Sequence, residues 1–132
     1  MKIAVAGVGY VGLVTAVTLA DVGHDVICLD VDKGKLKMLK EGISPIYEYG
    51  LEELMFKNRE RLEFTDDVTK YSEAQVIIIG VGTPEKEDGS ADLSAVFSVA
   101  DSIADNCSDG AVVVVKSTVP IGTCESVRRR IG

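Results

Sequence analysis

The chain has 132 residues, of which 46% are hydrophobic and 27% charged, and this composition is typical of one soluble domain with a sizeable core. Its formal net charge of −7 argues against nucleic acid and anionic membrane surfaces as partners. The sequence contains no apolar span long enough to cross a membrane and no basic leader before its first apolar run, so we predict a cytoplasmic protein.

The chain begins with the pattern of a strand, a glycine-rich turn, a helix and a second strand. Apolar, β-branched runs at residues 2–6 and 26–29 predict strands that are buried on both faces, and residues 10–22 predict the helix between them. The turn at residues 7–12 reads G-x-G-x-x-G, and Asp30 ends the second strand. This spacing in this context predicts a dinucleotide-binding unit; the alternative is a structural βαβ unit without a ligand.

Each glycine of the turn has a separate predicted role. Gly7 would allow the tight turn out of the strand, Gly9 would let a pyrophosphate approach the backbone, and Gly12 would let the helix pack against the strand. Tyr10 and Val11 begin the helix, whose unpaired N–H groups and positive dipole end suit a phosphate. We therefore assign these five residues to cofactor binding.

Asp30 predicts which dinucleotide is bound. Its carboxylate would accept hydrogen bonds from a ribose diol, and its charge, with that of Asp32, would repel the 2′-phosphate of NADP. No arginine follows to neutralise these charges, so we predict NAD as the cofactor. Lys33 and Lys35 can either reach the adenosine ribose or a phosphate, or form a solvated first helical turn.

The remaining elements alternate between helices and strands. Helices are predicted at residues 33–41, 51–61, 67–72 and 92–106 and from Thr123 toward Arg130, and strands at residues 62–65, 75–80 and 111–115. Asp66 and Thr123 are predicted to cap the helices that follow them, and the apolar residues of helix 92–106 are assigned to the core. This alternation predicts an α/β fold with a Rossmann-like, doubly wound, mostly parallel sheet in a single domain. Because the apolar runs lack period-two alternation, both faces of the sheet are expected to be covered.

Four loops follow the predicted carboxyl ends of strands, where ligands bind in such a sheet. They comprise residues 7–12, 30–35, 81–84 and 117–122. All four are expected to face one crevice. Thr83 and Thr118 lie in the last two loops, and their hydroxyls can either orient a small polar group or cap backbone groups.

Cysteine and histidine residues predict no further site. Cys28, Cys107 and Cys124 are too few and too widely spaced for a disulfide framework, and Cys28 is predicted to be a buried small hydrophobe. The single histidine, His24, is expected to be exposed in a turn, so Cys124 has no histidine base to activate it. No cluster has metal-ligand spacing, and we predict no metal site.

Several motifs together resemble one enzyme family. They are VGYVGL at residues 8–13, GISPIYEYGLEEL at residues 42–54, VGTP at residues 81–84 and KSTVPIGT at residues 116–123. In this order they resemble the UDP-glucose/GDP-mannose dehydrogenase family, whose NAD-dependent members oxidise a nucleotide sugar to its uronic acid. The resemblance extends over the whole chain and is strongest to bacterial members that act on UDP-glucose.

The resemblance implies roles for individual residues. Val11, Asp30 and Lys35 would contact NAD, the last two at the adenosine ribose. Thr83 would lie along the nicotinamide half of the cofactor. Thr118 would be both a cofactor contact and the catalytic residue of this chain, because family members use the corresponding threonine to hold a water beside the nicotinamide and the reacting carbon.

The resemblance also has limits. The family usually has proline where Tyr49 stands, and tyrosine frees φ and restores an N–H donor in that loop. The family's catalytic cysteine and its substrate-binding residues have no counterpart here, so we expect residues 1–132 to be the NAD-binding domain of a longer enzyme and to be inactive alone. That enzyme would oxidise UDP-glucose to UDP-glucuronate with two NAD, as a homodimer or larger oligomer. The alternatives are a UDP-N-acetyl-mannosamine or GDP-mannose dehydrogenase, or a stand-alone module that senses NAD(H).

Overall fold

Five strands form one parallel sheet. They are β1 (Lys2–Ala6), β2 (Asp25–Leu29), β3 (Leu62–Thr65), β4 (Val76–Ile79) and β5 (Val112–Val115). The computed structural model describes residues 1–132 throughout. The strand order is β3-β2-β1-β4-β5, and every neighbouring pair is parallel. The chain builds outward from β1 to β3 and then crosses back to place β4 beside β1, which confirms the predicted Rossmann-like, doubly wound fold in a single domain.

Five α-helices connect and flank the strands. They are α1 (Tyr10–Asp21), α2 (Lys33–Lys40), α3 (Leu51–Lys57), α4 (Ser94–Asn106) and α5 (Thr123–Ile131), with two 3-10 turns at Arg59–Arg61 and Val68–Glu73. None of these helices combines the length and the apolar character that spanning a bilayer requires.

The core consists of two apolar clusters, one on each face of the sheet. Successive residues of β1 alternate between them: Val5 packs with α1 and α3 on one face, and Ala4 packs with α4 and α5 on the other. Both residues are fully buried. An uninterrupted apolar run is therefore what β1 requires, as predicted, because each of its faces is covered.

The prediction that both faces are covered is wrong for β5. Val112 and Val114 are 57% and 40% exposed, whereas Val113 and Val115 are half-buried. The physical reason is position: β5 is an edge strand that pairs only with β4. Its half-buried side chains pack in the cluster of α4 and α5, and the other face carries no covering element in this chain.

Two predicted helix starts are also wrong by one residue. Asp67, not Asp66, caps the turn after β3, because its Oδ1 accepts a hydrogen bond from Thr69 N at 3.0 Å. Gly122, not Thr123, precedes α5, and its φ of +92° is one that glycine adopts without strain. The local sequence offers two adjacent candidates at each site, Asp66 and Asp67 at the first and Gly122 and Thr123 at the second, and only the backbone geometry selects between them.

The predicted helix 51–61 is shorter in the structure, and α3 ends at Lys57. Asn58 is buried at this point, and its side-chain amide donates to Leu54 O and to Asp21 Oδ1, both at 3.0 Å. These contacts join the end of α3 to the end of α1. His24 also differs from its prediction, because it is partly buried and its Nδ1 has no hydrogen-bond partner.

Candidate functional site

Gly7 opens the glycine-rich turn in a conformation that excludes other residues. Its φ is +103°, and a Cβ added there would lie 2.9 Å from Gly80 O and 3.0 Å from the Cα of Val81. Gly7 N donates to Leu29 O at 2.7 Å, which holds the turn against the end of β2. The turn therefore lies between the carboxyl ends of β2 and β4, where the strand order reverses.

Gly12 allows close packing of α1 on this turn. A Cβ at Gly12 would lie only 1.9 Å from Gly7 O, and a Cβ at Gly80 would lie 3.1 Å from the Cα of Gly12. The helix thus packs against backbone atoms of the turn and of the end of β4. Sequence reasoning did not single out Gly80; the glycine that ends the apolar run QVIIIG was the available signal.

Gly9 differs from its two neighbours because neither its backbone nor protein packing requires glycine. Its φ is −73°, and an added Cβ would meet no protein atom within 4 Å. The space beside it is therefore open to a ligand, and a side chain at this position would project into that space. This is the feature expected of a backbone that a pyrophosphate approaches closely.

The start of α1 adds hydrogen-bond donors to this open space. The first helical hydrogen bond runs from Leu13 N to Gly9 O at 2.9 Å, and no side chain caps the helix. The N–H groups of Tyr10, Val11 and Gly12 precede that bond and are free to donate to an anion. The first turn also carries no acidic side chain that would repel one.

Asp30 connects the end of β2 to the glycine-rich turn. Its Oδ2 accepts from Val8 N and its Oδ1 from Asp32 N, each at 2.9 Å. These bonds fix the carboxylate, and each oxygen retains a further lone pair for another donor such as a ribose hydroxyl. Asp32 in turn caps α2 by accepting from Lys35 N at 3.1 Å.

The two lysines differ in their surroundings. Lys33 is exposed and its Nζ lies 3.9 Å from Asp66, so this side chain already faces a carboxylate at the surface. Lys35 is half-buried, and its side chain takes part in none of the ion pairs of the chain. Only its backbone N–H is bound, to the capping carboxylate of Asp32. Lys35 is therefore the one of the two lysines whose charge is not paired within the chain.

A cleft of about 160 Å³ adjoins Asp30 on the side of α4. Its walls are mostly apolar and include Leu29 and Val81 at the strand ends and Ala95 and Val99 on α4. The hydroxyl-bearing residues Tyr71, Ser98 and Ser102 also line it. Burial and the negative charge of Asp30 raise the pKa of Tyr71 to about 12, so its hydroxyl keeps its proton at neutral pH.

Sequence reasoning missed this cleft. It assigned the apolar residues of helix 92–106 to the core, and Val96, Ala100 and Ile103 are indeed buried there. A second face of the same helix lines the cleft with Ala95, Ser98, Val99 and Ser102. The spacing i, i+3, i+4, i+7 of these small residues was the signal that could have identified it.

The loops after β4 and β5 are tied to each other. Thr83 Oγ1 donates to Thr118 O at 2.8 Å, and Ser117 Oγ donates to Val81 O at 2.7 Å. The Thr83 hydroxyl therefore serves a backbone contact, whereas the exposed Thr118 side chain makes no hydrogen bond within the chain. With the contacts of Gly7 and Asp30, these bonds bring the four loops to one edge of the sheet, as predicted.

The loop at residues 43–50 approaches the other side of the glycine-rich turn. Hydrogen bonding to Glu48 and the charge of that carboxylate raise the pKa of Tyr10 above its ordinary value. Tyr47 and Tyr49 are almost fully exposed. Ser44 organises the start of the loop, because its N donates to Glu52 Oε1 at 3.0 Å.

None of the cysteines lines the cleft beside Asp30. Cys28 is fully buried in β2, and burial raises the pKa of its thiol to about 12, which confirms its prediction as a buried hydrophobe. Cys107 is half-buried and Cys124 is exposed at the start of α5.

Comparison with known proteins identifies the type of domain. Residues 1–132 match the profile described as "UDP-glucose/GDP-mannose dehydrogenase family, NAD binding domain". The chain is 51% identical to a UDP-glucose 6-dehydrogenase of Rhizobium meliloti, over 99% of this chain and 31% of that relative.

Solved structures of related enzymes have the same fold. A GDP-mannose dehydrogenase from Pseudomonas aeruginosa superposes with a TM-score of 0.90 at 38% identity, over 99% of this chain and 31% of that one. A UDP-D-ManNAc dehydrogenase from Pyrococcus horikoshii superposes with a TM-score of 0.94 at 34% identity, over 99% of this chain and 32% of that one. The chain thus spans about a third of the length of these relatives.

Proposed function

Because the chain belongs to the UDP-glucose/GDP-mannose dehydrogenase family, as its NAD-binding domain, we propose that it binds NAD along the carboxyl edge of the sheet and supplies the cofactor half of a UDP-glucose 6-dehydrogenase. The observation that carries this proposal is the open space beside Gly9, bordered by the free N–H groups of α1. The pyrophosphate would lie there, across Gly7, Gly9, Tyr10, Val11 and Gly12.

The adenosine half would lie on the β2 side of the turn. Asp30 would accept hydrogen bonds from the ribose hydroxyls with the lone pairs that Val8 N and Asp32 N leave free. The half-buried Lys35 would donate to the same ribose, and the apolar cleft beside Asp30 would take the adenine. A 2′-phosphate in this position would face the carboxylate of Asp30, which favours NAD over NADP.

The nicotinamide half would lie on the β4 side, toward Thr83 and Thr118. When bound, NAD accepts a hydride from the alcohol carbon of the sugar. Thr83 would hold the two loops together through its bond to Thr118 O and border the cofactor. The free hydroxyl of Thr118 would orient a water at the reacting carbon, and this is the catalytic role we propose for it.

We propose further that residues outside 1–132 supply the nucleotide-sugar site and the catalytic cysteine. The support is that the chain spans about a third of the relatives' length, and that none of its own cysteines lines the cleft beside Asp30. By family resemblance, the whole enzyme would be cytoplasmic and form a homodimer or larger oligomer. GDP-mannose and UDP-D-ManNAc dehydrogenases are similar in structure, and their substrates are the alternatives to UDP-glucose.

Calorimetric titration of this chain with NAD, NADP and UDP-glucose tests the proposal. We expect NAD to bind, NADP to bind at least tenfold more weakly, and UDP-glucose not to bind. Absence of NAD binding to the folded chain would refute the cofactor site. Tight binding of UDP-glucose without NAD would instead show that this domain carries sugar recognition, and the division of roles proposed above would be wrong.

A further inference from the structure

Tyr71 is the largest side chain of the cleft beside Asp30, and the proposed function gives it no role. It lies on the 3-10 turn Val68–Glu73 between β3 and β4, and only 2% of its surface is exposed. Its ring packs in the apolar cluster that contains Ala6 and Leu29, and both of these residues also line the cleft. The ring is therefore held at the base of the cleft by the core.

The hydroxyl of Tyr71 has no hydrogen-bond partner within the chain. A tyrosine hydroxyl at a buried position normally finds one. The only fully buried side-chain nitrogen or oxygen without a partner is His24 Nδ1, so the Tyr71 oxygen, which makes no hydrogen bond with the protein, reaches the surface of the cleft. It is thus a polar group that faces a small, mostly apolar space.

The charge near Tyr71 fixes the chemical form of this group. Burial and the carboxylate of Asp30 both raise the pKa of this phenol, so the hydroxyl keeps its proton and is a hydrogen-bond donor across the physiological range. No hydrogen bond joins this donor to Asp30, whose two oxygens accept from Val8 N and Asp32 N. The O–H of Tyr71 therefore remains free for a ligand in the cleft.

The shape of the cleft indicates which ligand atoms would meet it. Apolar side chains of Leu29, Val81, Ala95 and Val99 form the walls, which suit the faces of a planar aromatic ring. Tyr71 presents a donor from the base of the same space. A purine combines apolar faces with ring nitrogens that accept hydrogen bonds at its edge.

We propose that Tyr71 is a specificity-determining residue for the cofactor, whose hydroxyl donates a hydrogen bond to a ring nitrogen of adenine. The inference rests on the proposed function, since it requires the adenosine of NAD beside Asp30. It goes beyond that function because the position lies outside every motif that marks the cofactor site in the sequence. Tyr71 fills the core with its ring and reads the base with its oxygen.

Replacement of Tyr71 by phenylalanine removes the oxygen and leaves the ring in place. The chain, its Tyr71→Phe variant and its Tyr47→Phe variant are titrated with NAD and with three NAD analogues in which adenine N1, N3 or N7 is replaced by CH. Tyr47→Phe is the matched control, because Tyr47 is 96% exposed. We expect Tyr71→Phe to bind NAD about tenfold more weakly, and Tyr47→Phe to bind it unchanged.

The analogues separate base reading from a merely structural role. One of the three should bind the unmodified chain about tenfold more weakly than NAD, and Tyr71→Phe should bind that analogue and NAD equally. Equal NAD affinity of Tyr71→Phe and the unmodified chain would refute the inference while leaving NAD binding intact. The inference would also be refuted if Tyr71→Phe lowered the affinity for NAD and for all three analogues by the same factor. Absence of NAD binding to the unmodified chain would refute the proposed function itself.

Discussion

The two ends of the crevice differ in how completely this chain encloses them. At the end near Asp30, strand ends, the 3-10 turn and α4 together line a cleft of about 160 Å³. At the other end, Thr118 is exposed and Ile121 protrudes fully into solvent. If NAD lies as proposed, the chain offers a preformed pocket for its adenosine half but only one wall for its nicotinamide half.

We infer from this difference that most of the free energy of NAD binding to this domain should come from the end near Asp30. Groups that are already fixed, such as the Asp30 carboxylate between two backbone N–H donors, lose little freedom when a ligand binds. An exposed hydroxyl such as that of Thr118 is neither desolvated nor held by a neighbour, so it adds little affinity until something else covers it. Substitutions at the two ends of the crevice should therefore differ in how much NAD affinity they cost.

Gly12→Ala should have the largest effect, and it should act on stability. The new Cβ would lie 1.9 Å from Gly7 O, so α1 or the turn must move. We expect the free energy of unfolding to fall by roughly 3 kcal/mol, measured by urea denaturation. Gly34→Ala, also within a helix, is the control, because its Cβ would meet no backbone atom and only one side-chain atom, Asp32 Oδ1, at 3.3 Å. Equal stability of both variants would show that α1 does not pack closely on the turn.

Gly9→Val should remove binding without unfolding the domain. A Cβ at Gly9 meets no protein atom within 4 Å, so the side chain would occupy the space assigned to the pyrophosphate. We expect at least a hundredfold loss of NAD affinity by calorimetry, which corresponds to about 2.7 kcal/mol or more. The thermal midpoint should remain within a few degrees of the original. Normal NAD binding by this variant would place the cofactor elsewhere.

Asp30→Ala should weaken NAD binding, by less than Gly9→Val does. It removes the proposed acceptor of the ribose hydroxyls and leaves Val8 N and Asp32 N without their partner. We expect NAD affinity to fall by roughly 1–3 kcal/mol. Asp30→Asn is the companion variant, because it keeps an acceptor but removes the charge. The ratio of NAD affinity to NADP affinity should therefore fall in both Asp30→Ala and Asp30→Asn. An unchanged preference in both variants would contradict the role of this carboxylate.

The raised pKa of Tyr71 should make the free energy of unfolding fall at alkaline pH. Its pKa in the folded chain is raised to about 12 from an ordinary value of 10.0, so folding favours the neutral phenol. The stability this contributes is fully present below pH 10 and is lost progressively as the pH rises toward 12. We expect the loss to reach about 1 kcal/mol near pH 11 in denaturation curves. Tyr71→Phe should lack it and Tyr47→Phe should retain it; identical curves for all three chains would mean that the phenol ionises freely.

The smallest effects should come from the nicotinamide end. ADP-ribose, which lacks nicotinamide, should bind this chain within about threefold of NAD, because little of the chain covers that half. Thr118→Val should likewise leave NAD affinity within about twofold, since the exposed hydroxyl is not enclosed. Both are measured by competition against NAD. If either change lowered the affinity more than tenfold, the nicotinamide end would contribute as much to binding as the adenosine end, and the contrast between the two ends of the crevice would be wrong.

Local sequence was sufficient to predict the order of strands and helices and the glycine-rich turn that we propose holds the phosphates. Strands and α1 could be predicted because fully covered strands require uninterrupted apolar runs, and because a G-x-G-x-x-G between such a strand and a helix has few structural solutions. The errors fall where sequence leaves neighbouring candidates, as with Asp66 and Asp67, or where coverage depends on what packs against an edge, as with Val112 and Val114 in β5.

Residues near one another in the chain were enough to predict an α/β domain with a glycine-rich turn between β1 and α1 and an acidic residue after β2, the groups we propose to hold the phosphates and the ribose. The residues that face the glycine-rich turn and Asp30 from other parts of the chain could be identified only in the tertiary structure. Tyr71 and the second face of α4 meet Asp30 in one cleft because β4 returns to the side of β1 after β3. The close packing of Gly80 on Gly12 has the same origin. Contacts between residues so far apart follow from strand order and crossovers, which no local pattern contains.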